Sequence, residues 1–427
     1  MSGANQVSTL NGLFKEVYAN DIKNLIPDGV KVLKLVPFVE SSKEIGNFYH
    51  QPVQLSHEHG VTYSAANPAV GAFALNSAVP AVFKDAQVEG AQMLIRASMS
   101  YEAAARASND KKAFVKATSL MVKNMVNSMA KRLEISTLYG RRNIGKIASQ
   151  TSPVAGTRVF VLATASWAAG IWAGSEGMPL DAINSETQSG ATSVINASQQ
   201  LVVSSVDLTA RSLTVTGLEA DLLLIDAAIA GGAWFIPRGA LNQDLFGLDR
   251  IVTNTGSLYN IDASLYALWK GNTFDNSGVA LSLAKILSAV ARAVERGLDE
   301  DVVCLLSPKT WANISTDQAA LRRYDDSYKG SKLENGAVEY SFFGQNGRID
   351  IVSSIYVKEG EAFIFAPKLL KRIGAMDISF KMPGRPQEEF FLELQSNAGY
   401  ELRAYTDQTL FAEAPAKLVK IFNIVNS

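Results

Sequence analysis

Residues 60–83 read GVTYSAANPAVGAFALNSAVPAVF, 24 positions without a charged side chain. Pro68, Gly71 and Pro80 interrupt the run, so it cannot cross a bilayer as one helix. It is also too rich in Ala, Ser and Asn to form a core alone. A stretch of this kind is expected to project from the body and to be covered by another chain, because large exposed apolar surface marks an interaction site. The side chains expected to make those contacts are Tyr63, Val70, Phe73, Leu75, Val79, Val82 and Phe83.

The sequence on either side gives the run its setting. From Ala91 to Tyr101 the odd positions are Ala, Met, Ile, Ala, Met and Tyr, and the even ones Gln, Leu, Arg, Ser and Ser, the period-two pattern of a strand with one covered face. With an extended leg around Phe48 to Leu55, this predicts a two-stranded loop with the uncharged run at its tip. Asn109 and Asp110 offer a start for a helix over Lys111 to Tyr139, and Gly140 supplies its stop. Phe114, Ala117, Met121, Met125 and Met129 fall on one stripe of that helix and are expected in the core.

Farther along, residues 151–218 are poor in charge and hold the β-type runs Val159 to Ala163, Leu201 to Ser205 and Ser212 to Thr216, the mark of a small β-rich insertion. Leu281 to Arg296 reads as a helix ended by Gly297, and Val302 to Leu306 as a buried strand. Ser307-Pro308 reads as a cap and first helical position. Asn346-Gly347 is a hairpin signal before the strand Arg348 to Ser353. Glu361 to Phe365 and Gly399 to Ala412 complete the strands. Pro27, Gly29 and Pro37 prevent a long helix in residues 1–45, which are expected to lie as an arm on the body or on a neighbour.

At 427 residues and 47% hydrophobic content the chain can bury a sizeable core and is expected to hold two to four domains. Forty basic against 41 acidic residues leave a formal charge of -1, so any attraction to a polyanion or an anionic membrane must be local. The lone Cys304 has no partner for a disulfide, and the first residues lack a secretory pattern, which together fit a reducing cytoplasm. No apolar run reaches the ~18 residues of a membrane span, so no membrane partner is expected.

Enzymatic chemistry finds little purchase. Gly140 to Lys146 matches the first seven positions of a phosphate-binding loop, but Ile147 stands where magnesium needs Ser or Thr, and a helix rather than a strand precedes it. His50, His57 and His59 crowd one short window, and His57 and His59 would share a strand face, yet only Glu58 accompanies them. Zinc needs three or four ligands. No G-x-S-x-G elbow occurs, and the pairs and triplets of acids at 299–301, 325–326 and 388–389 lack calcium-loop spacing. No catalytic, cofactor or metal residues are assigned.

One electrostatic feature stands out. Residues 111–146 hold nine basic residues against the single acid Glu134, a local excess of +8. Lys112, Lys116, Lys123, Lys131, Arg132, Arg141 and Arg142 are expected to face a polyanion, neutralising phosphates without reading bases; the alternative is a solvated face or one paired with a neighbour's acids.

In this order the features resemble a tailed-phage major capsid protein of the Hong Kong 97-type fold. The matching stretches are the strand into Ser100-Tyr101-Glu102, Leu138-Tyr139-Gly140, Leu305 to Trp311, Ile349 to Val352, Ala362 to Pro367 and Tyr400 to Phe411. The resemblance implies an α+β fold: an N-terminal arm at 1–45, an extended loop at 46–101, and a spine helix with the start of a peripheral domain at 102–150. The β-rich insertion at 151–218, an axial domain at 219–395 and a peripheral return strand at 396–427 follow.

The same resemblance implies hexamers and pentamers in an icosahedral shell around double-stranded DNA, assembled in a bacterial cytoplasm and carried in the virion. Portal and scaffolding proteins, and room for a decoration protein, come with it. An encapsulin-like compartment resembles the same fold, and an enzyme binding metal through His57 and His59 is the rival from another class.

Overall fold

The computed structural model describes residues 29–39, 48–64, 72–101, 111–191, 193–315, 340–381, 391–393 and 398–426. Strands β1 (Tyr49–Gln54) and β2 (Phe83–Val88) pair antiparallel, Tyr49 facing Val88 and Gln54 facing Phe83. They form the stem of the expected loop. The partner of the first leg is β2, however, and not the alternating strand β3 (Ala91–Ser100), which pairs instead with β19 (Gly399–Ala412), Ser100 facing Gly399. At the turn between β2 and β3, Gly90 packs against β19, where a Cβ would press on the Asp407 carboxylate and oblige that side chain to shift.

β19 is the centre of a four-stranded sheet. β3 lies along one edge, and β17 (Leu370–Ser379) and β18 (Phe391–Glu393) share the other. The helix Lys111–Tyr139 has the expected bounds and packs on this sheet. Met125, Met129 and Leu133 meet Met93, Ile95, Ala97, Leu402 and Ala404, so the methionine stripe is core where its side chains are described. At the exit a Cβ on Gly140 would run into the Leu245 carbonyl, which explains why the helix stops at a glycine.

The β-rich region is a closed six-stranded barrel of β4 (Gly145–Val154), β5 (Thr157–Leu162), β6 (Pro179–Ile183), β7 (Leu201–Asp207), β8 (Ser212–Thr216) and β9 (Ala233–Pro237), in the order β4-β5-β8-β7-β6-β9. It is larger than the expected 151–218 at both ends. β9 pairs with both β4 and β6, and without it the sheet would have two open edges. Phe160, Leu180, Val215 and Phe235 belong to a core shared with Tyr139, Leu248 and Phe363, so the barrel is welded to the rest and is not a free-standing insertion.

After the small hairpin of β10 (Ser257–Leu258) and β11 (Ile261–Asp262), a six-stranded sheet runs β12 (Thr273–Val279), β20 (Val419–Ile424), β16 (Ala362–Phe365), β13 (Val302–Leu306), β15 (Arg348–Ser353) and β14 (Tyr340–Phe343). The helix Leu283–Val294 covers it through Ile286, Ala289, Val290 and Ala293. Two expected boundaries change. β17 and β18 leave the 219–395 segment for the sheet of β3, while β20 leaves the 396–427 segment for the six-stranded sheet. Val419 and Ile421 are fully buried on one face of β20 and Lys420, 4% exposed, on the other, so both faces of this strand are covered there.

Candidate functional site

The uncharged tip is a hairpin that holds its own shape. Leu55 N donates to Val82 O (2.8 Å) and His59 N to Val79 O (3.1 Å) across the two legs. Val82 N donates to Ser56 Oγ (2.9 Å), Asn76 N to Thr62 Oγ1 (2.8 Å) and Asn76 Nδ2 to Val61 O (2.9 Å). Gly60 lies where the legs touch, its missing Cβ 3.1 Å from Ala78 Cα. These local bonds replace a core, because nothing else is available to order an uncharged, Ala-rich segment.

The tip's apolar side chains are bare. Tyr63 is 89% and Leu75 80% exposed, and Phe73, Val79 and Phe83 are exposed as well. Val82 is half-buried, and its backbone anchors the hairpin, accepting from Leu55 N and donating to Ser56 Oγ. Val70 lies outside the described residues. A row of exposed aromatic and aliphatic groups on a preformed hairpin is costly in water and ready for a partner, since little ordering remains to be done on contact.

The basic segment divides. Lys123 is exposed on the long helix, and Lys112 and Lys116 lie in its first turns, their side chains outside the described residues. Lys131, Arg132, Arg141 and Arg142, on either side of the exit, turn inward, while Lys146 stays exposed. Lys131 Nζ donates to Ala173 O (2.7 Å), and Arg132 is partly buried beside Asp244. Arg141 donates from Nε to Asp244 O (2.9 Å) with its guanidinium over the Phe246 ring. Arg142, only 6% exposed, is a correction to the polyanion reading: it sits 2.8 Å from both Asp249 Oδ2 and Glu186 Oε1. A guanidinium already held by two carboxylates has no free edge for a phosphate.

Arg142 belongs to a buried ionic junction that joins the helix exit, the barrel and the six-stranded sheet. Asp249 also accepts from Lys420 Nζ of β20 (2.6 Å), which reaches Glu361 Oε1 (2.8 Å). Lys358 Nζ donates to Asn143 O (2.9 Å) and lies 4.2 Å from the Tyr139 ring centroid. Burial would push Asp249 up, but the Lys420 ammonium and Arg142 guanidinium outweigh it and hold the carboxyl well below its ordinary value. Burial pushes Lys358 down, with Glu361 and Asp249 opposing it. The charge pattern around residue 142 gave no sign of this, since Asp249 and Lys420 are more than a hundred residues away.

Glu134, the lone acid of the basic segment, has a structural task. Its fully buried carboxylate accepts backbone N–H bonds from Lys31 (2.9 Å), Val32 (2.8 Å) and Leu33 (3.0 Å). It thereby fixes the arm helix Val32–Leu35 to the spine. Burial pushes its carboxyl above the ordinary range, and the three N–H donors pull the other way. Arg372 extends the clamp, donating from Nε to Val36 O (2.8 Å), while Val39 N donates to Arg372 O (2.9 Å). The arm's described part therefore lies on the body of its own chain.

The motifs weighed for catalysis are dispersed. Gly140 to Lys146 follows a helix and opens β4, the reverse of the strand-then-helix order that aims a phosphate loop's amides. His57 and His59 are exposed at the tip's base, and His50 Nδ1 pairs with Asp85 Oδ2 (2.5 Å) across the stem. Among the described residues no three His, Cys, Asp or Glu side chains converge to hold a metal ion.

No protein-family model matches the sequence, and no curated protein matches it. Solved structures do match. The capsid of cyanophage A-1(L) aligns at a TM-score of 0.55 and 10% identity, over 98% of this chain and 99% of that one. The capsid of a native GTA particle gives 0.50 at 6% identity, over 99% and 100%. An encapsulin from Synechococcus elongatus aligns at 0.40 and 8% identity, over 99% and 96%. Over nearly its whole length the chain has the fold of phage capsid subunits, the tailed-phage fold that the order of its motifs resembles.

Proposed function

We propose that this chain is the repeating subunit of a closed shell, a major capsid protein whose copies form hexamers and pentamers around packaged double-stranded DNA. The observation that carries the reading is the preformed tip with Tyr63, Phe73, Leu75 and Val79 bare to solvent, on a fold matched end to end by capsid subunits. A neighbouring copy covers the tip. Permanent contacts of this kind bury about 2,000 Å² or more, and arm, loop and domain edges supply several per subunit. Each contact raises the effective concentration of the next, so modest interfaces sum to a durable shell.

Lys112, Lys116 and Lys123 are the residues proposed to meet DNA on the spine side. A shell filled with a genome also needs an entry portal and a scaffold to set its curvature, and both are proposed partners, with a decoration protein as a third. Negative-stain images of the purified protein test the reading. Closed particles are expected, and a solution of stable monomers at high concentration would end it. Nuclease treatment then separates the two kinds of shell: protected DNA in particles from infected cells marks a capsid, and particles filled only with protein cargo mark a compartment.

A further inference from the structure

The helix Glu219–Ala228, between β8 and β9, is inverted for a surface helix. Leu222 and Ile225 are fully buried beneath it, yet Ala220, Leu223, Leu224 and Ala227 are all exposed, the two leucines at 55% and 51%. These positions, i, i+3, i+4 and i+7, form one stripe, and an apolar stripe of that spacing ordinarily packs on the core. Leu218, next to the helix in sequence, is exposed as well. So is Val154, in the turn where Gly156 N donates to Glu219 Oε2 (2.7 Å).

The helix's charges are engaged inside the subunit. The buried Arg158 guanidinium meets both Glu219 (2.5 Å) and Asp226 (2.9 Å), and Asp221 accepts from the Ser198 hydroxyl. No basic residue lies between Ser212 and Pro237. A face without a cation has nothing to hold a polyanion, so packaged DNA is not its cover.

The order of side chains in the stripe points to what is. It reads Ala, Leu, Leu, Ala from either end. Two such helices lying antiparallel about a two-fold axis between positions 223 and 224 place Leu223 beside the second copy's Leu224, and Ala220 beside the second copy's Ala227. Large residues then meet at the centre, and small ones at the ends let the backbones approach. The antiparallel arrangement also sets each helix's N-terminus by the other's C-terminus, which the helix dipoles favour.

We propose that this stripe is a two-fold contact between two copies of the chain, each presenting the same face. A helix of 10 residues is about 15 Å long, so the contact falls well short of the ~1,000 Å² that a stable interface needs on its own. It forms between copies already held in a shell, where it adds to their other contacts, and in that sense it rests on the shell reading above.

The double variant A220C/A227C tests it in assembled particles. The two positions are about two turns apart on one helix, too far for a disulfide within the chain, and the native Cys304 is buried. Under mild oxidation the expected product on a non-reducing gel is a covalent dimer that grows no further, because a two-fold pair closes on itself. L224K, at an exposed position, is expected to melt as the parent does but to need at least about fivefold more protein for shells. If wild-type protein forms no shells, the shell reading fails and takes this contact with it. If shells form and the cysteines yield only monomer, or a ladder of trimers and larger species, the two-fold contact is wrong and the shell reading stands. L224K that assembles at the parent's concentration also overturns the contact. So do normal L224K particles that lose a second co-purifying protein, which would give the stripe to a foreign partner.

Discussion

The hairpin tip at 55–83 and the junction around Asp249 invert one another. The tip carries almost no charge and stands in water, while the junction gathers Arg142, Lys358, Lys420, Asp249 and Glu361 out of water. Each arrangement is unfavourable alone and is made tolerable by what lies against it. The junction's charges are satisfied by one another within the subunit. The tip's exposed apolar groups have no such cover among the described residues, and that difference separates a surface that stabilises the subunit from one proposed to stabilise the assembly.

The sharpest way to break this comparison is to remove the tip. Deleting Thr62 to Val82 takes away no member of the main core, since Leu55 lies before the cut and Ala86 after it. The subunit is expected to stay soluble, with an unfolding free energy within about 1 kcal/mol of the parent, as for other surface changes. Shells, read by sedimentation and imaging, are expected to vanish. Normal particles from this variant would place the tip outside the assembly contacts altogether.

At the junction the effect has the opposite address. Asp249→Ala leaves Arg142 and Lys420 buried with their main carboxylate gone, and breaking a buried pair from one side costs about 3–5 kcal/mol. Denaturant unfolding of the unassembled subunit measures it. The pH dependence has a definite sign: the folded carboxyl titrates below its unfolded value of about 3.9, so its contribution is fully present above that pH and is lost as pH falls below it. The parent should lose stability on acidification below about pH 4 more steeply than the variant. A variant as stable as the parent would mean that the ionic junction is not what holds the three parts together.

Local signals were legible and long-range partners were not. The helix Lys111–Tyr139, the strands Val302–Leu306 and Gly399–Ala412 and the Asn346-Gly347 hairpin stand where charge, period and turn chemistry put them, because each is decided by neighbours in sequence. Pairing β1 with β3 failed for the complementary reason. Both are good strands, and only the remote β19 decides which one β3 chooses. The bare tip was readable from composition alone. Arg142 was not, since a cation facing water and one facing Asp249 look the same until residue 249 is brought beside it. Glu134 did leave a trace: one acid in a run of nine cations is a sign of a specific task.

The smallest effect sharpens the comparison most, because it asks whether the tip is preformed or shaped on contact. Asn76 ties one leg to the other twice, through its backbone N and its side-chain Nδ2. Asn76→Ala removes only the Nδ2 bond to Val61 O, worth about 1 kcal/mol at a solvated site. That corresponds to about a fivefold faster amide exchange over 76–82, with exchange elsewhere unchanged. The subunit should melt as before, while assembly needs a few times more protein, since the ordering that the side chain had done in advance must now be done during docking. Unchanged exchange in the variant would show that the Thr62 and Val79 bonds suffice, and faster exchange with undiminished assembly would show that the neighbour, rather than the hairpin's own bonds, sets the shape of the docked tip.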